Sequence, residues 1–505
     1  MDEQEEEYKL RMRGKEMRER KIMKESNKMG LLERKKYERS ERRRKQRIKN
    51  GIIVGVVAVA LIVVCVQFKP WESLKRPVDN SAPVNNEIKG DQNQNGTSRL
   101  ELMDKAERMA ASYGYDEAVE ILESIKGYEK DKEVQKMITD IQAEKATCVP
   151  VKLEEVTHIF YHTLVVDEHR AFANQESDPQ AVGNNQWMTT VDEFNAITQE
   201  MYDRGYVMVS IHDLYEVTTD ENGKEVWQPA EILLPPDKKA FVLSLDDLSY
   251  YHSYDNYGYA TKLLIDENGD VMNEYTDAQG NTMIGAYDCV PLMDQFVEKH
   301  PDASYKGAKG IIALTGYNGV LGYRTDVTYD YNHPTCDRHQ KKWMDAHPDF
   351  DLETHRAEAK KVADAMKANG WEFASHTWGH VRVGDRSLES LKVDTEKWKA
   401  NVEPIVGKTD TIIFAHGQDL HPVTGAYPSS NEKYQYFREQ GFRIFCNVDS
   451  TQYQTFLGED YLRQGRRNLD GYRIYKNSIG AQNNVSDLFD ASKIIDPDRP
   501  PVPEL

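Results

Sequence analysis

The sequence predicts a protein of the α/β class, and two observations lead to this prediction. From Val151 onward, short apolar runs typical of β-strands alternate with segments in which apolar residues recur at helical spacing. The chain has 505 residues, enough for a large buried core, and its 39% hydrophobic and 30% charged residues are typical of a soluble protein. Strand and helix in repeated alternation favour parallel strands covered by helices, arranged either as an α/β barrel or as a layered sheet.

The first element, residues 1–50, is a basic segment on an otherwise acidic chain. It contains 19 Lys and Arg against 11 Asp and Glu, a net charge of +8, whereas the whole chain has a formal net charge of −19. Residues 51–505 therefore carry a net charge of −27. An acidic body repels nucleic-acid phosphates and suits a neutral or cationic partner, such as an uncharged glycan. We therefore expect no nucleic acid as a partner.

Residues 51–68 are predicted to form a single transmembrane helix. Residues 51–66 are 16 consecutive apolar residues, and Phe68 extends the run toward the roughly 17–25 residues that a span requires. A basic cluster precedes it, formed by Arg42, Arg43, Arg44, Lys45, Arg47 and Lys49. The positive-inside rule then places the N-terminus in the cytoplasm and the C-terminal part outside the cell membrane. A cleaved signal peptide is the alternative, disfavoured by the long charged region before the run.

Residues 69–97 contain three prolines and a polar stretch, and we interpret them as a linker. Residues 98–147 have apolar residues at helical spacing on both sides of Gly114 and resemble one tetratricopeptide-like helical hairpin. A single such unit cannot bury its own apolar face. We therefore expect it to dock on another surface, with contact to a partner protein as one possibility. A plain amphipathic hairpin or a coiled-coil stalk is an equally good interpretation.

Residues 148–505 are the predicted α/β domain. Its strand-like runs are residues 157–166, 240–245, 310–314, 371–375, 411–415 and 443–448. Helices are predicted between them, with Ser387 as an N-cap and Gly370 and Gly441 at C-terminal ends. The sequences ENGK (221–224) and DENGD (266–270) predict turns of inserted β-hairpins.

Two polar segments follow predicted strands. Asp246 and Asp247 end the run LSLDD, and His376 and His380 lie in ASHTWGH. Because the C-terminal ends of parallel strands meet on one face, both segments can contribute to one site. One carboxylate with two imidazoles is a ligand set for a divalent metal, with zinc expected and cobalt or manganese as alternatives.

The His-x-x-x-His spacing occurs twice and needs a geometric distinction. With 14 histidines in the chain, chance alone gives about 0.4 such pairs. His158 and His162 lie in a strand-like run, where four residues span about 13 Å, too far for one ion. His376 and His380 follow a strand and include Gly379 between them, so a turn can bring the two rings together. The second pair is therefore the predicted ligand pair.

With these motifs in this order, residues from about 157 to 475 resemble the polysaccharide deacetylase (NodB homology) family, carbohydrate esterase family 4. The family's Thr-Phe-Asp-Asp-Gly motif is approximated by residues 244–248, and its His-Ser/Thr-x-x-His motif is matched by residues 376–380. The resemblance implies a distorted (β/α) barrel. It also implies metal-dependent removal of N-acetyl groups from a cell-surface or secreted polysaccharide, either peptidoglycan or an exopolysaccharide.

The later motifs of the family are altered here. Leu248 replaces a Gly, the third motif is represented by residues 414–417 without its Arg or Pro, and the fourth by residues 446–449 without its Trp. The histidine of the fifth motif has no counterpart, because the last histidine is His421. A catalytically degenerate domain that binds glycan at the cell surface is therefore the alternative function, and a mainly structural surface protein is a third.

The resemblance assigns roles to particular residues. Asp247, His376 and His380 would hold the metal ion, and Asp246 would be the catalytic base. The predicted general acid is His416, at the end of the strand-like run 411–415, and His162 is the second candidate. Two arginines, Arg466 and Arg467, are interpreted as an ordinary surface pair, with orientation of Asp246 as the less favoured interpretation.

Overall fold

The computed structural model describes residues 98–421, 425–448 and 454–505. The predicted basic segment 1–50, transmembrane helix 51–68 and linker 69–97 lie outside this part of the chain. Among the helices that are described, none is both long enough and apolar enough to cross a membrane.

Seven parallel strands close into a barrel, so the α/β prediction is confirmed as a barrel and not a layered sheet. The strands, labelled β1 to β16 in chain order, are Val149–Pro150, Thr157–Tyr161, Tyr206–Met208, Tyr215–Thr219, Glu225–Pro229, Leu233–Leu234, Lys239–Asp246, Ala260–Ile265, Val271–Thr276, Thr282–Gly285, Ile311–Leu314, Glu372–Ser375, Thr411–Ile413, Ile444–Val448, Thr455–Leu457 and Leu462–Asn468. The barrel order is β2, β7, β11, β12, β13, β14, β16 and back to β2, with every pair parallel. Outside the ring, β3 pairs with β7 and β15 with β16.

Helices connect and cover the strands. In chain order they are Arg99–Ala111, Tyr115–Glu123, Lys132–Lys145, Glu168–Ala171, Pro179–Trp187, Val191–Asp203, Cys289–Lys299, Arg338–Ala346, Leu352–Ala368, Leu388–Asn401, Glu403–Val406, Glu432–Glu439, Gly471–Ser478 and Ala491–Ile494. Their starts follow from side-chain capping. Thr190 forms a reciprocal capping box with Glu193, and Ser387 accepts a hydrogen bond from the N–H of Ser390.

Side-chain alternation along the barrel strands separates two apolar layers. On β7, Phe241, Leu243 and Leu245 pack in a cluster with residues of the covering helices. The intervening residues, Ala240 and Val242, belong to a second cluster with side chains from the other barrel strands. Ser244 and Asp246 continue this inward-facing row, because successive residues of a strand point to opposite faces. The last residue of β7 therefore presents a carboxylate to the C-terminal mouth of the barrel.

Residues 98–147 form three helices, and their apolar side chains join the inward-facing cluster of the barrel. Two contacts fix this arrangement. The Tyr113 hydroxyl donates to the Asp302 carbonyl at 2.8 Å, and the N–H of Lys306 donates to the Ser112 carbonyl at 2.7 Å. The apolar face that a hairpin alone could not bury is thus covered by the barrel domain of the same chain.

Two β-insertions extend from the barrel, and each contains a turn that the sequence predicts. The antiparallel pair β4–β5 encloses residues 220–224, and the sheet β8–β9–β10 includes the turn at residues 266–270. Gly223 and Gly269 adopt φ values of +81° and +92°, which residues with a Cβ rarely adopt. The second insertion lies next to the C-terminal mouth of the barrel. The Leu263 N–H donates a hydrogen bond to the Leu321 carbonyl and holds it there.

A charged clamp at the opposite, N-terminal end of the barrel joins neighbouring strands. The His212 ring contacts Glu372, the first residue of β12, at 2.8 Å and Asp410, which precedes β13, at 3.0 Å. Burial opposes the imidazolium charge, but the hydrogen bonds with Asp410 and Glu372 outweigh it and raise the pKa of His212 to about 10.

We predict that His212→Gln lowers the free energy of unfolding by about 1 kcal/mol at pH 6, a modest value because the pair is partly exposed. The folded-state pKa is raised above the unfolded value of about 6.5. The stabilisation is therefore complete below about pH 6.5 and is lost as pH rises toward about 10. Urea unfolding at pH 6 and pH 10 measures the difference in free energy of unfolding between the wild-type protein and the variant. The control is His339→Gln, which changes an exposed histidine. An equal difference at both pH values would contradict the clamp.

Candidate functional site

The aspartate pair lies where β7 ends and the chain turns. Asp246 is the last residue of β7, and Asp247 has a left-handed backbone with a φ of 62°. The Asp247 N–H donates to the carbonyl of Ala313 on the neighbouring strand β11 at 3.1 Å. The Tyr251 hydroxyl donates to Asp247 Oδ1 at 2.6 Å. Backbone and side chain together therefore fix the Asp247 carboxylate at the mouth of the barrel.

The two histidines are positioned by a tight turn after β12. Thr377 and His380 both have positive φ values, 63° and 51°. The Asp394 carboxylate accepts hydrogen bonds from the N–H groups of Trp378 and Gly379, at 2.7 and 2.9 Å. This turn, rather than a helix, brings the two rings to a centroid separation of 5.0 Å.

Asp247, His376 and His380 each present one ligand atom, and these atoms lie within 4.8 Å of one another. The His380 Nε2 atom is 3.5 Å from Asp247 Oδ2, and the His376 Nε2 atom is 3.9 Å from Asp247 Oδ1. The His376 Nδ1 atom is 2.7 Å from the carbonyl oxygen of Ile413, which can only accept a hydrogen bond. Nδ1 therefore carries the proton, and Nε2 presents its lone pair toward Asp247, as an imidazole ligand of a metal must.

The structure therefore brings together all three residues that the sequence predicts as metal ligands. One carboxylate oxygen and two imidazole nitrogens suit a divalent ion of borderline character. Of the other histidine pair, His158 does not contribute to this group. His158 is fully buried within β2 and bonds to Gln464 and Ser244.

Asp246 forms a buried, bidentate ion pair with Arg466. The two Arg466 Nη atoms donate to the two carboxylate oxygens of Asp246 at 2.7 and 2.9 Å. The interpretation of Arg466 and Arg467 as a surface pair is wrong, because both are buried. Arg466 faces the barrel interior on β16, whereas Arg467 faces outward and pairs with Asp487. Orientation of Asp246, the interpretation that the sequence favoured less, matches the contact of Arg466.

A chain of hydrogen bonds continues behind this ion pair. The Gln464 amide nitrogen donates to the Val156 carbonyl, so its Oε1 atom faces His158 Nδ1 at 3.0 Å and accepts a hydrogen bond. The His158 Nε2 atom then accepts from the Ser244 hydroxyl at 2.9 Å, and Ser244 accepts from Arg466 at 3.1 Å. Burial lowers the pKa of His158 well below its usual value, so the ring is neutral. Sequence analysis missed this chain, because polar and charged residues follow one another along β16 without an apolar alternation that would indicate its inward face.

The electrostatics of the site favour ionised aspartates. Burial disfavours a charge on Asp246, but Arg466 outweighs it and holds the pKa of Asp246 well below its usual range. Burial likewise opposes the charge on Asp247, and the nearby His380 and His376 lower its pKa. Burial also lowers the pKa of His376, which favours the neutral ring that a metal ligand requires.

The two candidates for the general acid lie at different sides of the site. The His416 ring is 4.3 Å from the His380 ring, and its Nε2 atom is 3.2 Å from the His380 carbonyl oxygen. The side chain of His416 is exposed, and its backbone φ is 56°. Partial desolvation of the ring by the surrounding protein and the neighbouring His380 lower the pKa of His416. His162 follows Tyr161, the last residue of β2, which is paired with Leu245 of β7, so His162 lies near Asp246 and helps to lower the pKa of that carboxyl.

Comparisons with known proteins give a weak structural likeness. No family model and no curated protein matches the chain. Among solved structures, the chain is similar to the Streptococcus pyogenes deacetylase PplD in complex with acetate. The identity is 15%, the alignment covers 63% of this chain and 93% of that chain, and the TM-score is 0.31.

We predict that Asp247→Asn and His376→Gln each weaken zinc binding by at least about 100-fold, more than the loss of an outer-shell partner usually costs. The reason is that each change removes one of only three protein ligands. Calorimetric titration of the apo protein with zinc measures this, with Asp104→Asn, an exposed aspartate on a distant helix, as the matched control. Unchanged zinc affinity in either site variant would contradict the assignment.

Proposed function

We propose that this protein is a metal-dependent hydrolase that removes N-acetyl groups from a polysaccharide. The observation that carries the proposal is the convergence of Asp247, His376 and His380 beside the buried carboxylate of Asp246. A metal site with an adjacent ionised carboxylate suits hydrolysis of an amide, because it joins an electrophile with a proton acceptor. The acetamide substrate class comes from the motif resemblance, and peptidoglycan and an exopolysaccharide are both candidates.

The three ligand residues fit a divalent cation, for which we propose zinc. A bound cation would lower the pKa of a water molecule and polarise the acetamide carbonyl. Two hydrogen bonds orient the ligand groups before the cation binds. The Ile413 carbonyl fixes the His376 ring, and the Tyr251 hydroxyl fixes the Asp247 carboxylate.

Asp246 is the proposed general base. Its low pKa keeps the carboxylate ionised, so it is available as a proton acceptor throughout the physiological range. Arg466 is the proposed positioning residue, because its bidentate contact fixes the carboxylate plane. The Asp246 Oδ2 atom lies 3.9 Å from His376 Nε2, so the base is next to the ligand group.

The general acid must protonate the leaving amine, and we propose His162 before His416. The Nε2 proton of His416 is engaged by the His380 carbonyl, and the ring stands beside a proposed metal ligand. His162 follows β2 at the C-terminal end of the barrel, next to the strand that ends in Asp246. His416, the residue that sequence analysis favours, remains the second candidate.

The cellular arrangement is proposed from the sequence alone. Residues 51–68 would anchor the chain in the cell membrane by one helix, with the N-terminus in the cytoplasm and the barrel outside. An extracellular barrel would meet cell-wall or secreted glycan directly. Contact of residues 98–147 with a partner protein stays a prediction.

We predict that Asp246→Asn strongly reduces acetate release from chito-oligosaccharides while zinc content is retained, because the variant keeps all three proposed metal ligands. A loss on the order of 100- to 10,000-fold in kcat is expected for removal of a general base. Acetate assay and metal analysis of the same preparation measure both properties. If wild-type protein binds zinc but releases no acetate, the degenerate glycan-binding function is favoured instead.

A second pair of variants decides the general acid. His162→Asn should lower kcat by at least about 100-fold with zinc content intact, whereas His416→Asn should retain most of the wild-type turnover. The two variants are matched controls, since each removes one imidazole near the proposed metal. The reverse result would assign the acid to His416.

A further inference from the structure

A cavity of about 1040 Å³ lies beside the candidate metal site. Its walls come from the loop after β7, the segment after β11 and the inserted sheet β8–β9–β10. Part of the opposite wall is the helical segment around Trp343. These segments are additions to the C-terminal mouth of the barrel, where the loops of this architecture form binding sites. The volume is that of a site for a sizeable organic ligand.

Tyr251 connects the cavity to the site. Its hydroxyl donates to Asp247 Oδ1 at 2.6 Å, and the same residue lines the cavity. The Tyr251 ring also stacks on Tyr317 at a centroid distance of 5.2 Å. Tyr251 therefore lies between the candidate metal site and the cavity. The proposed substrate is a polysaccharide chain, which continues on both sides of the sugar that reacts.

The charges that line the cavity nearly balance. The cationic residues are Arg170, Lys262 and Arg324. The anionic residues are Asp255, Glu274, Asp277 and Asp349. Lys262 and Glu274 also pair with each other at 3.0 Å. This mixture gives an anionic polymer no net attraction, and it suits an uncharged ligand with many hydroxyl groups.

The remaining lining combines rings with small polar groups. Trp343 and Phe350 are half-buried rings of the wall, packed edge to face at 5.1 Å. Asn256, Thr261 and Thr276 add an amide and two hydroxyls. Apolar rings beside neutral hydrogen-bonding groups match the C–H faces and hydroxyls of pyranose sugars.

Two buried polar atoms of the lining residues have no hydrogen-bond partner within the described part of the chain. They are the Tyr259 hydroxyl and Arg324 Nε. The Arg324 Nη atoms donate to the carbonyls of Ser249, Tyr250 and Asn318, and no carboxylate among the described residues pairs with it. A buried polar atom without a partner costs about 1–3 kcal/mol. Both atoms are inaccessible to solvent, so a ligand reaches them only when the lining side chains move.

We infer that this cavity is a subsite for a neutral, N-acetylated segment of the glycan chain, next to the sugar whose acetamide is hydrolysed. The inference rests on the proposed function. It assigns recognition of substrate length to the insertions, and it leaves chemistry at Asp246 and Asp247 unchanged.

The test fills the cavity in the full-length protein with Ala278→Trp and, separately, Ala346→Trp, both at exposed lining positions. Ala368→Trp, at an exposed position outside the cavity lining, is the matched control. Chitopentaose is the long probe and chitobiose the short one. Each cavity variant should weaken chitopentaose binding at least tenfold, keep zinc content, and keep acetate release from chitobiose, while the control matches wild type.

Wild-type affinity for chitopentaose in both cavity variants would overturn the inference, as would failure of the wild-type protein to bind chitopentaose. The proposed function fails separately, by absence of acetate release from either probe in a zinc-loaded wild-type protein. If acetate release is absent but cavity variants still weaken chitopentaose binding, the subsite stands and hydrolysis is rejected.

Discussion

The arrangement of the candidate site depends on the buried ion pair between Arg466 and Asp246. It joins β16 to β7 across the barrel interior, although β2 lies between these strands in the sheet. A buried carboxylate without its partner would cost several kcal/mol, so each residue requires the other. Because Asp246 ends β7, its fixed position also determines where Asp247 enters the site. The hydrogen bonds through Ser244 and His158 extend this constraint toward the N-terminal part of the barrel.

The two ends of the barrel are closed in different ways. Helices of residues 98–147 share an apolar cluster with inward-facing strand residues, and His212 ties neighbouring strands together at the N-terminal end. The C-terminal mouth carries polar and left-handed residues, among them Asp247, His380 and His416. Strained backbone costs stability and persists where packing and hydrogen bonds enforce it. The N-terminal end of the barrel therefore contributes to stability, and the C-terminal mouth determines the geometry of the candidate ligands.

The strand-end motifs could be predicted because they are local in sequence. An apolar run that ends in Asp246 and Asp247, and another followed by His376, indicate one face of a parallel sheet. The role of Arg466 could not be derived in this way, because its burial depends on closure of the ring between β16 and β2. Most residues of β16 are polar or charged and follow no alternating pattern, so only the closed ring determines which of them face inward. The spacing of His376 and His380 indicated a turn, and Asp394 supplies the hydrogen bonds that shape it.

The most direct test of the account is anomalous diffraction at the zinc absorption edge from crystals of the zinc-loaded protein. We predict one strong peak at the barrel mouth, about 2.0–2.2 Å from the Nε2 atoms of His376 and His380 and from a carboxylate oxygen of Asp247. Asp246 should remain paired with Arg466 outside the ligand shell. A peak elsewhere, or a ligand shell that lacks one of these three residues, would contradict the account.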